Sequence, residues 1–515
     1  MRADEVPESV IALRLMNFMG FEDTGWMELR PVTLLFGRNS AGKSALIRAI
    51  LLLRQSLKRR DADEPLLFSA ENGVDLGSFV RMIRGREVCD LNPEDISKPG
   101  ELRQLLFALR CSVQRHVVAD LLDRGSRWDA FMREPGDTWV DLSLSFQWNT
   151  ELRRCELSAV TLEAPFSADT FEATRNVIFQ AELIEKRWYL SSHFEEVPLL
   201  PAAKEKAYTT LWSIKTGDGL LPSIISPSTV PDKFFRKIDA IYSSCTESVT
   251  DFLEGVHYLG PFRYEARRIY PACELSQDGL QTRGQAAIKD YLLSPHSNDA
   301  KDRLDSWMEK LGFGDQLQSE GLFVDKTKAA EAYQISFYEG GTIPSINLKD
   351  VGYGASQVLP VILQSFFAPK DSTVIIEQPE LHLHPAAQAE LADLFVELAG
   401  NAMGASGMGR SPRFLIETHS EMFLLPTRVR LARTSQGCEQ KYLLSEGDFV
   451  CYFVHRDRRT GISKVEQITF DTKGRYVTLP VGFEEFFGQD FDELRALDKA
   501  RLPANAELAD DDSGS

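Results

Sequence analysis

Eight consecutive residues constrain this chain more than any other feature. Gly37-Arg38-Asn39-Ser40-Ala41-Gly42-Lys43-Ser44 fits G-x-x-x-x-G-K-[ST], follows the apolar run Val32 to Phe36, and precedes an amphipathic helix. Strand, glycine loop and helix in that order make a phosphate cradle. Gly37 and Gly42 allow a tight wrap, and successive backbone N–H groups at the helix N-terminus point at an anion. Lys43 brings a charge suited to β- and γ-phosphates, and the Ser44 hydroxyl is an oxygen ligand suited to Mg2+. In the helix, Leu46, Ile50, Leu53 and Leu57 recur at helical spacing, with Arg48 and Gln55 on another face. A glycine turn carrying a lysine by chance would not require this context, so a nucleoside triphosphate, taken as ATP with Mg2+, is the expected ligand.

With 515 residues, 43% of them hydrophobic, the chain has material for two or three domains with real cores. Its 58 Lys+Arg stand against 76 Asp+Glu, a net charge of -18 that argues against a chain coating nucleic acid, although a local basic groove is compatible with it. The seven cysteines are dispersed without a C-x-x-C pair, as expected of reduced thiols in a cytoplasm. The segment Met1 to Glu5 carries no hydrophobic signal region, and no apolar run reaches membrane-spanning length. The expectation is a cytoplasmic protein without membrane contact.

Val10 to Leu15, Trp26 to Leu29 and Val32 to Phe36 read as strands. The mixed-charge stretch Lys58 to Glu64 reads as a solvated connection. Val140, Leu142, Leu144, Phe146 and Trp148 alternate with Asp141, Ser143, Ser145 and Gln147, the period of a half-buried strand. Runs at Cys155 to Leu162, Asn176 to Leu183 and Trp188 to Ser191 are similar, which predicts an antiparallel β region near residues 100 to 195. Helix formers dominate Pro231 to Gly255 and Gln285 to Leu311, no heptad pattern persists to make a coiled-coil arm, and Ala506 to Ser515 is an acidic tail expected to be disordered.

Further along, Thr373-Val374-Ile375-Ile376-Glu377 is an apolar strand ending in a carboxylate, as needed beside Mg2+. Gln378-Pro379-Glu380-Leu381-His382-Leu383-His384-Pro385 follows, then a helix with Pro385 in its first turn and Gly400 at its end. Phe414-Leu415-Ile416-Glu417-Thr418-His419-Ser420 reads as a strand delivering His419 to its C-terminal edge, where ligands bind in open α/β sheets. Upstream, Leu348 to Gln357 contains Gly352, Gly354 and Ser356 ahead of an apolar helix, a possible anion site.

These segments together resemble the ABC-type ATPase heads of the SMC and DNA-repair class and the overcoming-lysogenisation-defect (OLD) family. The resemblance is closer to a bacterial AAA-type branch related to the latter, through Asn17-Phe18, Val74 to Phe79, Tyr258 to Arg263, Leu479 to Phe483 and Phe486-Phe487. It implies an α/β fold, an ABC-type ATPase head (P-loop NTPase) with an inserted antiparallel β region and a helical subdomain. The implied roles are Lys43 on phosphate, Ser44 and Glu377 on Mg2+, Ser356 on the γ-phosphate held by a partner subunit, and His419 as switch histidine. The residue after the Walker B carboxylate in ABC heads is usually a glutamate that polarises water, whereas here it is Gln378. An amide orients water but is no general base, and Glu380 is the nearby substitute. The glutamine that contacts Mg2+ in ABC heads has no identifiable counterpart in this sequence; Val74 to Phe79, near where its loop is expected, contains no glutamine.

The implied organisation is an N-terminal half-head over 1–95, a β-rich then helical insertion over 96–255, an arginine-containing connection over 256–345, a second half-head over 346–435, an extension over 436–500 and a tail over 501–515. Head-to-tail homodimerisation, or a higher homo-oligomer, is implied because neither chain completes the site. His382 and His384 are alternatively metal ligands or parts of a subunit-facing loop, and His455-Arg456-Asp457 imitates a kinase loop but reads as a surface turn. Arg263, Arg267 and Arg268 beside Tyr264 and Tyr270 are open to phosphate, nucleotide or carboxylate partners. By analogy with the resembled branch, the chain is a nucleotide-gated sensor or scaffold controlling a separate nuclease or toxin in antiphage defence; the alternative is a DNA-repair or chromosome-maintenance clamp.

Overall fold

The computed structural model describes residues 9–57, 64–70, 73–84, 104–114, 137–165, 175–184, 187–191, 211–215, 220–225, 232–275, 284–293, 298–323, 330–338, 345–400, 411–437, 444–478, 480 and 482–483. The expected charged connection near residue 60, the acidic tail and most of the 479–487 segment lie outside them.

Strands β1 (Ser9–Met16) and β2 (Met27–Glu28) precede β3 (Val32–Gly37), which runs through the phosphate loop into α1 (Lys43–Ser56), with a short α2 (Phe79–Met82) beyond. Then come β4 (Leu105–Gln114), β5 (Asp137–Asn149), β6 (Arg154–Pro165), β7 (Arg175–Ile184), β8 (Arg187–Ser191), β9 (Leu211–Lys215) and β10 (Ser223–Ile225), closed by the long α3 (Asp232–Glu254). Next are β11 (Val256–Leu259), β12 (Tyr270–Pro271), α4 (Ala272–Leu275), α5 (Gln285–Leu293), α6 (Asn298–Lys310), β13 (Gln316–Leu322), β14 (Ala332–Tyr338) and β15 (Ile346–Asn347). The last elements are α7 (Tyr353–Phe366), β16 (Thr373–Glu377), α8 (Pro385–Gly400), β17 (Arg413–Thr418), α9 (Glu421–Ser435), β18 (Phe449–Arg456), β19 (Ser463–Phe470) and β20 (Tyr476–Thr478).

Two large sheets result. The first is nine-stranded, in the order β10-β9-β8-β7-β6-β5-β4-β1-β2. It is antiparallel, and it takes in β1 and β2 as well as the alternating strands expected between residues 100 and 195. The second is seven-stranded, in the order β11-β16-β17-β3-β18-β19-β20, with parallel pairing from β11 to β18. A smaller antiparallel sheet joins β12, β14, β13 and β15.

The parallel sheet is apolar on both faces, as crossover connections require. Its strand periodicity splits each strand between two cores. Val32, Leu34 and Phe36, with Val374, Ile376, Phe414, Ile416 and Phe453, face the helices α7, α8 and α9. Leu35, Ile375, Leu415, Val450 and Tyr452 face α1, α3 and the antiparallel sheet. Helix α1 is therefore packed nearly all round, with Leu51 and Leu52 buried as well as Leu46, Ile50 and Leu53. Among the described residues, no helix is long and apolar enough to cross a membrane.

The alternating strand β5 departs from the half-buried expectation at Asp141, which is buried. Its partner in register on β4 is Arg110, whose Nε and Nη2 donate to the two carboxylate oxygens at 2.7 and 2.9 Å. The guanidinium also lies over the Trp26 and Trp139 rings, 4.3 and 5.3 Å from their centroids. A buried carboxylate needs such a fork, because a lone charge there would be costly. Arg110→Ala should therefore lower the unfolding free energy by about 3 kcal/mol in denaturant titration, the cost of leaving one member of a buried pair alone. A negligible change would show that water reaches Asp141.

Candidate functional site

The site is built where β3, β16 and β17 end together. Parallel strands deliver their C-terminal residues to one edge, and here the pairing aligns Glu377 of β16 with Glu417 of β17, and Thr418 with Phe36 of β3. The strand carrying Glu417 thus lies between the phosphate-loop strand and the Glu377 strand.

The loop geometry explains its glycines. Gly37 has φ 149°, and a Cβ there would sit 2.1 Å from the Val454 carbonyl oxygen on β18. Gly42 has φ 119°, and a Cβ would press to 2.8 Å from the Phe21 ring. Both positions combine a backbone that side chains rarely adopt with no room for one. Arg38, Asn39 and Ser40 form the exposed crown of the loop, and Ala41 is buried beneath it.

Lys43 is only 3% exposed. Its Nζ donates to the carbonyls of Gly37 at 2.9 Å and Arg38 at 3.0 Å, and lies 3.8 Å from Glu417 Oε1. Burial lowers its pKa, against the pull of Glu417 and the more distant Glu380 and Glu377. The Ser44 hydroxyl donates to Glu417, 2.9 Å from Oε2 and 3.1 Å from Oε1. Glu377 instead accepts from the Tyr258 hydroxyl on β11, at 2.7 Å to Oε1. Burial, and then the neighbouring Glu377 carboxylate, raise the Glu417 carboxyl well above the ordinary range, with Lys43 and Ser44 opposing. Burial likewise raises the Tyr258 hydroxyl, reinforced by Glu377.

These groups fit a magnesium nucleotide. Two close carboxylates and a serine hydroxyl are hard oxygen donors, and the wrap at Gly37 and Gly42 is open to backbone approach. Ser44 and Glu377, read from the sequence as cation-side residues, thus converge on one edge, but through Glu417, whose contact with Ser44 the sequence reading missed. A signal was there: Thr373 to Glu377 and Arg413 to Thr418 are both apolar strands bringing a glutamate to the same end.

The segment after Glu377 turns sharply. Gln378 has φ 48° and its N–H donates to the Glu417 carbonyl at 2.7 Å. Arg263, 6% exposed, holds this turn from below: its Nη2 donates to the carbonyls of Glu377 and Gln378, both at 3.0 Å. Burial lowers its pKa to about 10, with Glu380 opposing. The three arginines grouped by sequence are thereby separated. Arg267 pairs with Glu274 and stacks on Tyr264, while Arg268 forks onto Asp350 at the surface.

Glu380 is buried, which raises its pKa, and its Oε1 accepts the His419 backbone N–H at 2.8 Å. The carboxylate therefore ties the turn after β16 to the end of β17. The His419 imidazole lies near the loop; burial, then the charge of Lys43, push it down to about 4, so it is neutral at physiological pH. From the same turn, the His382 ring meets Tyr353 edge-on, with centroids 4.9 Å apart, and Gly354 approaches so closely that a Cβ would sit 2.8 Å from the His382 carbonyl oxygen. His384 accepts the Ala386 N–H at 3.3 Å, in the first turn of α8.

Ser356 departs from its expected presentation. It is 8% exposed, and its hydroxyl donates to the Tyr353 carbonyl at 2.8 Å. Position 356 is already one turn inside α7, where a serine bonds back along its own helix. The exposed tip is Gly352 and Tyr353, the latter 59% exposed. His455 bonds Glu466 across β18 and β19 at 2.7 Å, and Asp457 caps the following turn, just beyond Val454, which lies in register with Gly37.

Residues 217–425 match the family described as "AAA domain, putative AbiEii toxin, Type IV TA system". No curated protein matches the chain. Solved structures that superpose on it include an SMC head bound to the C-winged helix domain of ScpA, at 9% identity and TM-score 0.37, covering 90% of this chain and 98% of that one. The SMC head domain from Thermotoga maritima superposes at 9% identity and TM-score 0.34, covering 90% and 99%. An Smc head domain with an extended coiled coil, bound to the C-terminal domain of ScpA derived from Pyrococcus furiosus, does so at 9% identity and TM-score 0.36, covering 96% and 100%. No residue role is transferred from these. The chain thus joins a glycine phosphate loop between β3 and α1 and a parallel sheet to a segment, residues 217–425, that is similar to AAA domains.

Proposed function

We propose that this ATPase binds ATP with Mg2+, hydrolyses it slowly, and works as a nucleotide-gated switch that controls a separate effector, a nuclease or toxin, in cytoplasmic antiphage defence. The observation that supports slow turnover is Gln378, which stands directly after Glu377 where ABC heads carry a glutamate. The amide can orient water but accepts no proton, and the nearest carboxylate on that turn already accepts the His419 N–H. The match to a family described by a toxin of a type IV TA system supports the defence setting.

In this reading the loop N–H groups and Lys43 bind the phosphates, and Ser44 and Glu377 hold the cation, which supplies charge neutralisation of the β- and γ-phosphates. Tyr258 orients Glu377, and Arg263 keeps the Glu377–Gln378 turn in its left-handed form. His419, neutral and beside the loop, reads the state of the phosphates. Its backbone passes that state to Glu380, and the same turn carries His382 to Tyr353 at the tip of α7. The exposed Gly352 and Tyr353, with Ser356 bracing the turn behind them, then meet the nucleotide of a second copy. Closure is favoured to the extent that nucleotide binds the closed pair more tightly than the open one.

Gln378→Glu should raise ATP turnover at least about tenfold by supplying a general base, a lower bound set below the roughly 10²–10⁴-fold that general acid–base catalysis typically contributes. An equal or lower rate measured by phosphate release counts against Gln378 as the brake. Sedimentation with ATP and Mg2+ should show a dimer that Lys43→Ala fails to form; a nucleotide-loaded protein that stays monomeric removes the sandwich. Purification of the native complex with and without ATP should recover a nuclease or toxin, whereas ATP-dependent DNA retention with no protein partner favours a DNA clamp.

A further inference from the structure

The phosphate-loop serine, Ser44, does not turn to Glu377 at the end of β16. Its hydroxyl donates to both oxygens of Glu417, one strand nearer, while Glu377 is held by Tyr258. Glu377 and Glu417 are partners in register on adjacent parallel strands, so their side chains leave the same face about 4.8 Å apart at the backbone. Both are buried. Two carboxylates so placed face one ammonium at ion-pair distance, Lys43, whose protons already go to two loop carbonyls. This arrangement is short of positive charge and rich in oxygen.

We infer that Glu417 is a second carboxylate of the divalent-cation site, so that the cation arriving with nucleotide is held among Glu417, Glu377 and the Ser44 hydroxyl. The inference rests on the nucleotide reading above and adds a residue to it. Three features of the geometry favour it. Ser44 gives its proton to Glu417 and keeps its lone pairs for a metal. Tyr258 holds one Glu377 oxygen, and the Glu377 and Glu417 carboxylates come within hydrogen-bonding reach of each other. Small hard cations take one or two protein carboxylates and complete their shell with phosphate and water. Among the described residues, no set of three His, Cys, Asp or Glu side chains could hold a metal alone. The cation should accordingly bind only together with nucleotide.

The test uses the full chain loaded with a non-hydrolysable ATP analogue and titrated with Mn2+, followed by electron paramagnetic resonance. Metal-free nucleotide binding, measured separately in EDTA, serves as the control. Glu417→Gln keeps the shape and an acceptor but loses the charge. It should bind nucleotide without metal as the parent does, and weaken Mn2+ by about tenfold or more, since even groups one layer beyond the ligands cost that much. Glu377→Gln should give a comparable loss. An Mn2+ affinity unchanged in Glu417→Gln overturns the inference, whether or not hydrolysis is lost. If that variant does not fold, Glu417→Asp decides: weaker Mn2+ binding supports the assignment and an unchanged value overturns it. A parent protein that binds no nucleotide removes the nucleotide reading itself, a result distinct from either of these.

Discussion

The contact on which the site depends joins the start of α1 to a strand that lies more than 350 residues later in the chain. Lys43 and Ser44 meet Glu417, and through it Glu377. Each of these groups is expensive to bury alone, because desolvation disfavours every charge involved. Together they are tolerable: the serine gives a proton, the ammonium gives a charge, and the hydroxyl of Tyr258 relieves the second carboxylate. Burial, and then the neighbouring Glu377 carboxylate, raise the Glu417 carboxyl, and Lys43 and Ser44 offset that only in part.

That contact is possible only because three parallel strands end at the same level. Their period-2 burial locks the register on both faces, since a one-residue slip would exchange the residues of the two cores. Antiparallel strands, α1 and α3 cover one face, and α7, α8 and α9 cover the other. The turn from Gln378 to His384 leaves this edge in a left-handed step at Gln378 and is tied back to β17 through Glu380.

The same turn links two places that the sequence kept apart. Glu380 fastens it to His419, Gln388 donates to the Leu383 carbonyl at 2.9 Å, and His382 rests on Tyr353. The turn therefore makes a continuous chain of contacts from the end of β17 to the exposed end of α7. Arg263 stiffens the root of that route by holding two successive carbonyls.

What the residues determined alone was local chemistry. The phosphate loop, the apolar strand ending at Glu377, the histidine at a strand edge and the alternating β5 are all short-range patterns, and each forms the element its period demands. Neighbouring letters could not say that Arg263 would sit under Gln378 while Arg268 stayed at the surface, nor that Ser356 would bond back into its own helix. Nor could they show that Ser44 would choose Glu417. Those outcomes depend on strand order and register, which bring distant residues within hydrogen-bond reach, and burial then decides which of them must pair. Sequence supplied the groups, and only the tertiary fold selected their partners.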